Sequence, residues 1–98
     1  MNNLITRNGV VLLKIKDTYL LVSDKEARKT CRYVLELNDV GAMLWQCLEQ
    51  GMTEEEMLDR IIDAYDIRDT DAVRADIRTF VRQLAEGGYL ASEENNDL

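Results

Sequence analysis

The apolar residues change period once, at Asn38, and that change divides the chain into a sheet-forming part and a helix-forming part. Before it, Thr30 to Leu37 alternates: Tyr33, Leu35 and Leu37 fall on one side, and Arg32, Val34 and Glu36 on the other. A two-residue period is that of a strand with one face on a core. After it, Val40, Met43, Leu44, Cys47 and Leu48 recur at spacings of three and four, the period of a helix, with Trp45 at the edge of the stripe. Asn38 is a good N-cap, and Asp39 suits the positive end of the helix dipole.

The same reading extends both ways. Val10 to Lys16 is apolar and β-branched, stops at Asp17-Thr18, and is followed at once by Tyr19 to Ser23, which predicts a hairpin with a short loop. Asp24 to Lys29 is charged and reads as a connection. Gly51 ends the first helix as a left-handed C-terminal residue. Thr53 and Glu56 occupy the reciprocal positions of a capping box, opening a helix that buries Met57, Leu58, Ile61, Ile62 and Tyr65. After a turn at Asp66 to Asp69, a third helix starts at Thr70 or Asp71, carries Val73, Ile77, Phe80, Val81 and Leu84, and stops at Gly87-Gly88. The expected fold is α+β: a three-stranded antiparallel sheet followed by three helices. Residues 1–9 read as a flexible N-terminus, 10–90 as one domain with Tyr89-Leu90 as its apolar close, and 91–98 as a disordered acidic tail.

Composition narrows the function classes. A chain of 98 residues that is 46% apolar supports one core without metal or disulfide. A net charge of −7 repels phosphate backbones and anionic membrane surfaces. No apolar run spans a bilayer and the first residues lack the pattern of a signal peptide, so the cytoplasm is the expected compartment. There is no histidine, and Cys31 and Cys47 form no Cys-x-x-Cys pair, which removes common zinc sites and His-activated nucleophiles. Both cysteines read as small buried apolar residues. With no glycine-rich phosphate loop and no nucleophile elbow, the expectation is a binding protein without cofactor, not an enzyme.

Leu37-Asn38, Gly41-Ala42, Leu44-Trp45, Gly51, Thr53 with Glu56, Asp76, Phe80, Leu84 and Gly88-Tyr89-Leu90, in this order and spacing, resemble the PqqD family. These are the small proteins of pyrroloquinoline quinone biosynthesis and their relatives in modified-peptide pathways. The match covers roughly residues 10 to 90; the long charged loop from Asp24 to Thr30 and the lack of proline depart from the pattern. The resemblance implies a winged-helix-like fold that recognises ribosomally made precursor peptides. It implies that the precursor's leader region lies between the third strand and the third helix as an added strand. It further implies delivery to a modifying enzyme: a radical-SAM protein, a cyclase or a leader peptidase.

Strand addition needs an exposed sheet edge, and the resemblance selects the third strand, Cys31, Arg32, Tyr33, Val34, Leu35 and Glu36, over the reading that it is internal. No proline interrupts it, so every backbone donor is available. For the second wall, Val73, Ile77, Phe80 and Leu84 fall on one face of the third helix, with Arg74, Arg78 and Arg82 as a stripe beside them and Val81 between. The arginines suit acidic leader side chains; the alternative is a solvated face paired with Asp71, Asp76 or Glu86. Trp45 reads as core, and the sequence does not decide whether Tyr33 or Tyr65 lines the cleft. Two rival functions stand beside peptide capture: a winged-helix nucleic-acid binder, disfavoured by the acidity, and an adaptor that forms a homodimer through the same sheet edge.

Overall fold

A computed structural model describes residues 4–30 and 34–92. In chain order the elements are β1 (Leu4–Thr6), β2 (Val10–Ile15), β3 (Thr18–Ser23), β4 (Val34–Leu37), α1 (Asp39–Glu49), α2 (Glu54–Tyr65), α3 (Thr70–Glu86) and β5 (Leu90–Ser92). The three-stranded antiparallel sheet has the order β2-β3-β4, so β4 is the strand counted as third in the sequence and lies at the edge. The expected α+β order, three strands then three helices, is what forms.

Register explains which side chains reach the core. Leu12, Leu21 and Leu35 pair across the sheet, as do Tyr19 and Leu37, and Val10 with Ser23. Cross-strand partners share a face, and this face packs on the helices: Val10, Leu21 and Leu37 are buried with Leu44, Trp45, Leu58, Ile61, Ile77 and Leu84 in one cluster. Trp45, placed at the edge of its stripe by periodicity, is fully buried, and Gly41 and Ala42 are buried with it. Helix α1 is covered more widely than its own pattern indicates because it packs against β1, β4 and α2.

Local chemistry sets the helix ends. Asn38 Oδ1 accepts from the Gly41 N–H at 2.7 Å, Thr53 and Glu56 complete their capping box, and Asp69 caps α3 through the Ala72 N–H. Helices α1 and α3 both close with the paired hydrogen bonds of a Schellman motif: Met52 N–H to Cys47 O with Gly51 N–H to Leu48 O, and Tyr89 N–H to Leu84 O with Gly88 N–H to Ala85 O. Gly51 and Gly88 supply the left-handed residue at φ 77° and 86°.

Three differences from the sequence reading stand out. Leu4–Thr6, within the stretch read as a flexible N-terminus, form β1 and pair antiparallel with Leu90–Ser92, which extends the chain's close beyond Leu90. Arg7 reinforces that junction, its Nε donating to Gly88 O at 2.5 Å and its backbone N–H to Tyr89 O at 2.9 Å. The charged connection holds a short 3-10 turn at Ala27–Lys29, fixed by the Ala27 N–H donating to Asp24 Oδ1 at 2.8 Å. In α2, Met57, Leu58 and Ile61 are buried, whereas Tyr65 is exposed. The rest of the acidic tail, 93–98, lies outside the described residues.

Candidate functional site

Strand β4 pairs with β3 through Val34↔Val22, Leu35↔Leu21, Glu36↔Leu20 and Leu37↔Tyr19, and no described strand pairs with its other side. An edge strand turns the N–H and C=O of every second residue away from its neighbour. Here they turn toward a groove of about 860 Å³ whose far wall is α3. Leu35, Glu36 and Leu37 form the strand side. Phe80, Gln83, Leu84, Glu86 and Gly87 form the helix side, with Tyr89 just beyond.

The two ends differ. At one, the first turn of α1 brings Asn38 and Gly41 against Phe80: a Cβ on Gly41 would lie 3.3 Å from the Phe80 ring edge. At the other, the 3-10 turn contributes Arg28, Lys29 and Thr30. Arg28 is tethered, its Nε donating to Ser23 O at 3.2 Å, and Lys29 pairs with Glu26 in the open. Four charged residues border the groove. Arg28, Lys29 and Glu86 lie on its turn and helix sides, and Glu36 lies in β4 with its side chain on the face turned away from the helices, in the row of Leu20. The groove thus carries no strong charge of one sign in a chain of net charge −7. Half-buried Leu35 and Phe80 supply its apolar surface, over a buried floor of Leu37, Leu84 and Tyr89. This combination can hold an extended peptide through backbone hydrogen bonds on one side and side-chain packing on the other. Among the described residues no cluster of three or more Cys, Asp or Glu could hold a metal ion.

Of the residues singled out in the sequence, Leu35 and Glu36 line the groove, and Val34 lies in β4 with its exposed side chain on the sheet's other face. Cys31, Arg32 and Tyr33 lie outside the described residues. Val73 and Ile77 are core residues, 8% and 2% exposed, and Val81 packs half-buried against the core. Arg74 and Arg78 face α2: Arg78 Nε and Nη2 hold both carboxylate oxygens of Glu54 at 2.8 and 3.0 Å, and Arg74 bonds Glu54 at 3.2 Å and also Glu55. Arg82 is exposed and does not line the groove. The helix wall of the groove is thus the stripe Phe80, Gln83, Leu84 and Gly87, rotated from the arginine stripe. Gln83, Glu86, Asn38 and the Arg28–Thr30 turn were not marked by the sequence, since nothing local says which loop a helix end will face.

Electrostatics agree with this division. Hydrogen bonds from Arg78, then Arg74, hold the Glu54 carboxyl below its ordinary value, and the Glu54 and Glu55 carboxylates raise the two guanidiniums. Burial pushes the Cys47 thiol up, with Arg60 opposing, so the sulfur stays a thiol inside the core.

A strand-then-helix domain with an open sheet edge beside a helix-walled groove is a small binding module. The chain matches the family of coenzyme PQQ synthesis protein D (PqqD) over residues 9–90, and it belongs to that family. Two solved structures are similar in fold. "TbiB1 in Complex with the TbiA(beta) Leader Peptide" is 30% identical with a TM-score of 0.72, covering 95% of this chain and 99% of the other. "Lasso peptide synthetase B1 complexed with the leader peptide" is 17% identical with a TM-score of 0.73, covering 91% and 98%. The comparison with curated proteins gives no match.

Proposed function

We propose that this protein is a non-catalytic carrier of a leader peptide. It captures the leader region of a ribosomally made precursor as an added strand on β4, holds its side chains in the groove against α3, and presents the precursor to a modifying enzyme. The observation that carries this reading is the edge of β4, unpaired among the described strands, opening onto an apolar-lined groove. Membership in the PqqD family supports it, as do the leader peptides bound by the similar structures. Affinity comes from ladder hydrogen bonds and burial of alternate guest side chains against Leu35 and Phe80, not from a field of one sign. No described helix is long and apolar enough to cross a membrane.

The test is calorimetric titration with the leader peptide of the precursor encoded beside this gene. Micromolar or tighter binding at one-to-one stoichiometry is expected, and Phe80→Ala should weaken it by about tenfold, or about 1.4 kcal/mol. Absence of binding, or equal binding by the variant, rejects the groove as the site.

A further inference from the structure

The sheet face turned away from the helices carries a second surface. Register aligns Val11, Val22 and Val34 in one row, Leu13, Leu20 and Glu36 in the next, and Ile15 opposite Thr18, so the only charge in the first two rows is Glu36 at the β4 edge. Six aliphatic side chains therefore share a face, and Val11, Leu13, Ile15 and Val34 remain 51, 42, 54 and 43% exposed. A single exposed aliphatic residue is ordinary, but a contiguous set marks an interaction surface.

We propose that this face docks the enzyme that acts on the captured precursor, and that the captured strand forms part of the docking surface; the inference rests on strand capture at β4. Continuity is the first argument. Val34 belongs to both surfaces, its backbone lying in the edge strand and its side chain on the outer face. A guest strand added there presents every second side chain on the same face, widening it by a strand.

Area and charge choose the occupant. Two strands of six residues and the four-residue β4, about 4.8 Å apart, cover less than about 14 by 20 Å, or under about 300 Å². A stable interface takes about 800 Å² from each partner. Two copies stacked face to face would bury well under half of that and bring together two chains of charge −7. An enzyme has neither limit: it also grips the guest strand and the precursor beyond the groove. Its matching surface has an apolar centre and a basic rim. Since the peptide completes the surface, peptide and enzyme each raise the other's affinity by the same factor.

The test uses two variants of the full chain on β2, the strand farthest from the guest: Leu13→Lys, and the milder double variant Leu13→Thr with Ile15→Thr, which keeps strand-forming residues. Leader binding is measured by calorimetry, product formation with the full precursor and the enzyme encoded beside it, and self-association by sedimentation. Leader affinity within about twofold of the parent, with product formation at limiting protein reduced about tenfold or more, supports the proposal. Unchanged product formation by both variants overturns it while leaving strand capture intact. A parent dimer that the variants dissolve also overturns it, naming a second copy as the occupant. A parent that fails to bind leader overturns strand capture itself, and this proposal with it.

Discussion

Phe80 lies against the backbone of Gly41 and closes one end of the groove between β4 and α3. A methyl group on Gly41 would meet the Phe80 ring edge and Asn38 Oδ1 at 3.3 Å each, and Leu37 Cβ at 3.4 Å. Phe80 is half-buried, so its ring has room to swing toward the groove. Gly41→Ala gains up to about 1 kcal/mol of helix propensity and spends it on that displacement. We expect stability within about 1 kcal/mol of the parent but several-fold weaker leader binding, because the shifted ring occupies guest space. Gly41→Val, with no room for two more carbons, should lose about 1–3 kcal/mol of stability as well. Urea denaturation and calorimetry on the same samples separate the two effects, and a Gly41→Ala variant that binds like the parent would refute the role given to Phe80.

Strand capture predicts an alternating pattern in β4. Of Val34, Leu35, Glu36 and Leu37, every second amide is bonded to β3 and the others face the groove. In amide exchange measured by NMR, the groove-facing amides should exchange fast in the free protein and slow by about tenfold or more with saturating leader peptide. Their neighbours should be protected in both states. Uniform slowing of all four would point to general stiffening without added ladder bonds.

Most of the helical architecture was legible because its signals are local: Asn38, the Thr53–Glu56 box and Gly51 act within one turn of themselves. The pairing of β1 with β5 was not, since three-residue strands show no period and their partners lie at opposite ends of the chain. The alternation of Leu35 and Leu37 with Val34 and Glu36 made the strand readable, but only the family resemblance selected it as an edge, because alternation is the same in an internal strand. The helix wall was placed one stripe away. The spacing of Val73, Ile77, Phe80 and Leu84 fixes a face but not where that face points along its length. Here Val73, Ile77 and Leu84 enter the core, and the groove runs along the half-buried Phe80 and the turn around Leu84. The partners of Arg74 and Arg78 sit on α2, where Glu54 and Glu55 read as dipole and cap residues only.

The Glu54–Arg78 pair makes a prediction about acid stability. Its hydrogen bonds hold the Glu54 carboxyl below the unfolded value of about 4.3. The stabilisation is present in full above that value and is lost as pH falls toward the lower folded value. Glu54→Gln should therefore have a lower Tm than the parent at neutral pH, and the gap should narrow as the buffer is taken from about pH 5 to pH 3. Leader affinity should stay within about twofold in Glu54→Gln and Arg78→Ala alike, because neither side chain lines the groove. A Tm gap independent of pH would show that the carboxylate's charge is not what α3 requires. A large loss of leader binding in Arg78→Ala would return the arginine stripe to the site.

Trp45 is fully buried and its indole Nε1 has no hydrogen-bond partner among the described residues. An unsatisfied buried N–H costs about 1–3 kcal/mol, so exchanging the indole for a phenyl ring removes that penalty while giving up part of its packing. Trp45→Phe should accordingly fall within about 1 kcal/mol of the parent, whereas Trp45→Ala should lose about 3–5 kcal/mol through the cavity left behind. Circular dichroism in urea measures both, since the variants carry no tryptophan. The same burial makes Trp45 a poor reporter of the groove, which it does not line. Its emission in the parent should resist iodide quenching and change little when leader peptide binds. If Trp45→Phe proves as damaging as Trp45→Ala, the indole N–H is satisfied in solution, with a buried water as the acceptor to look for.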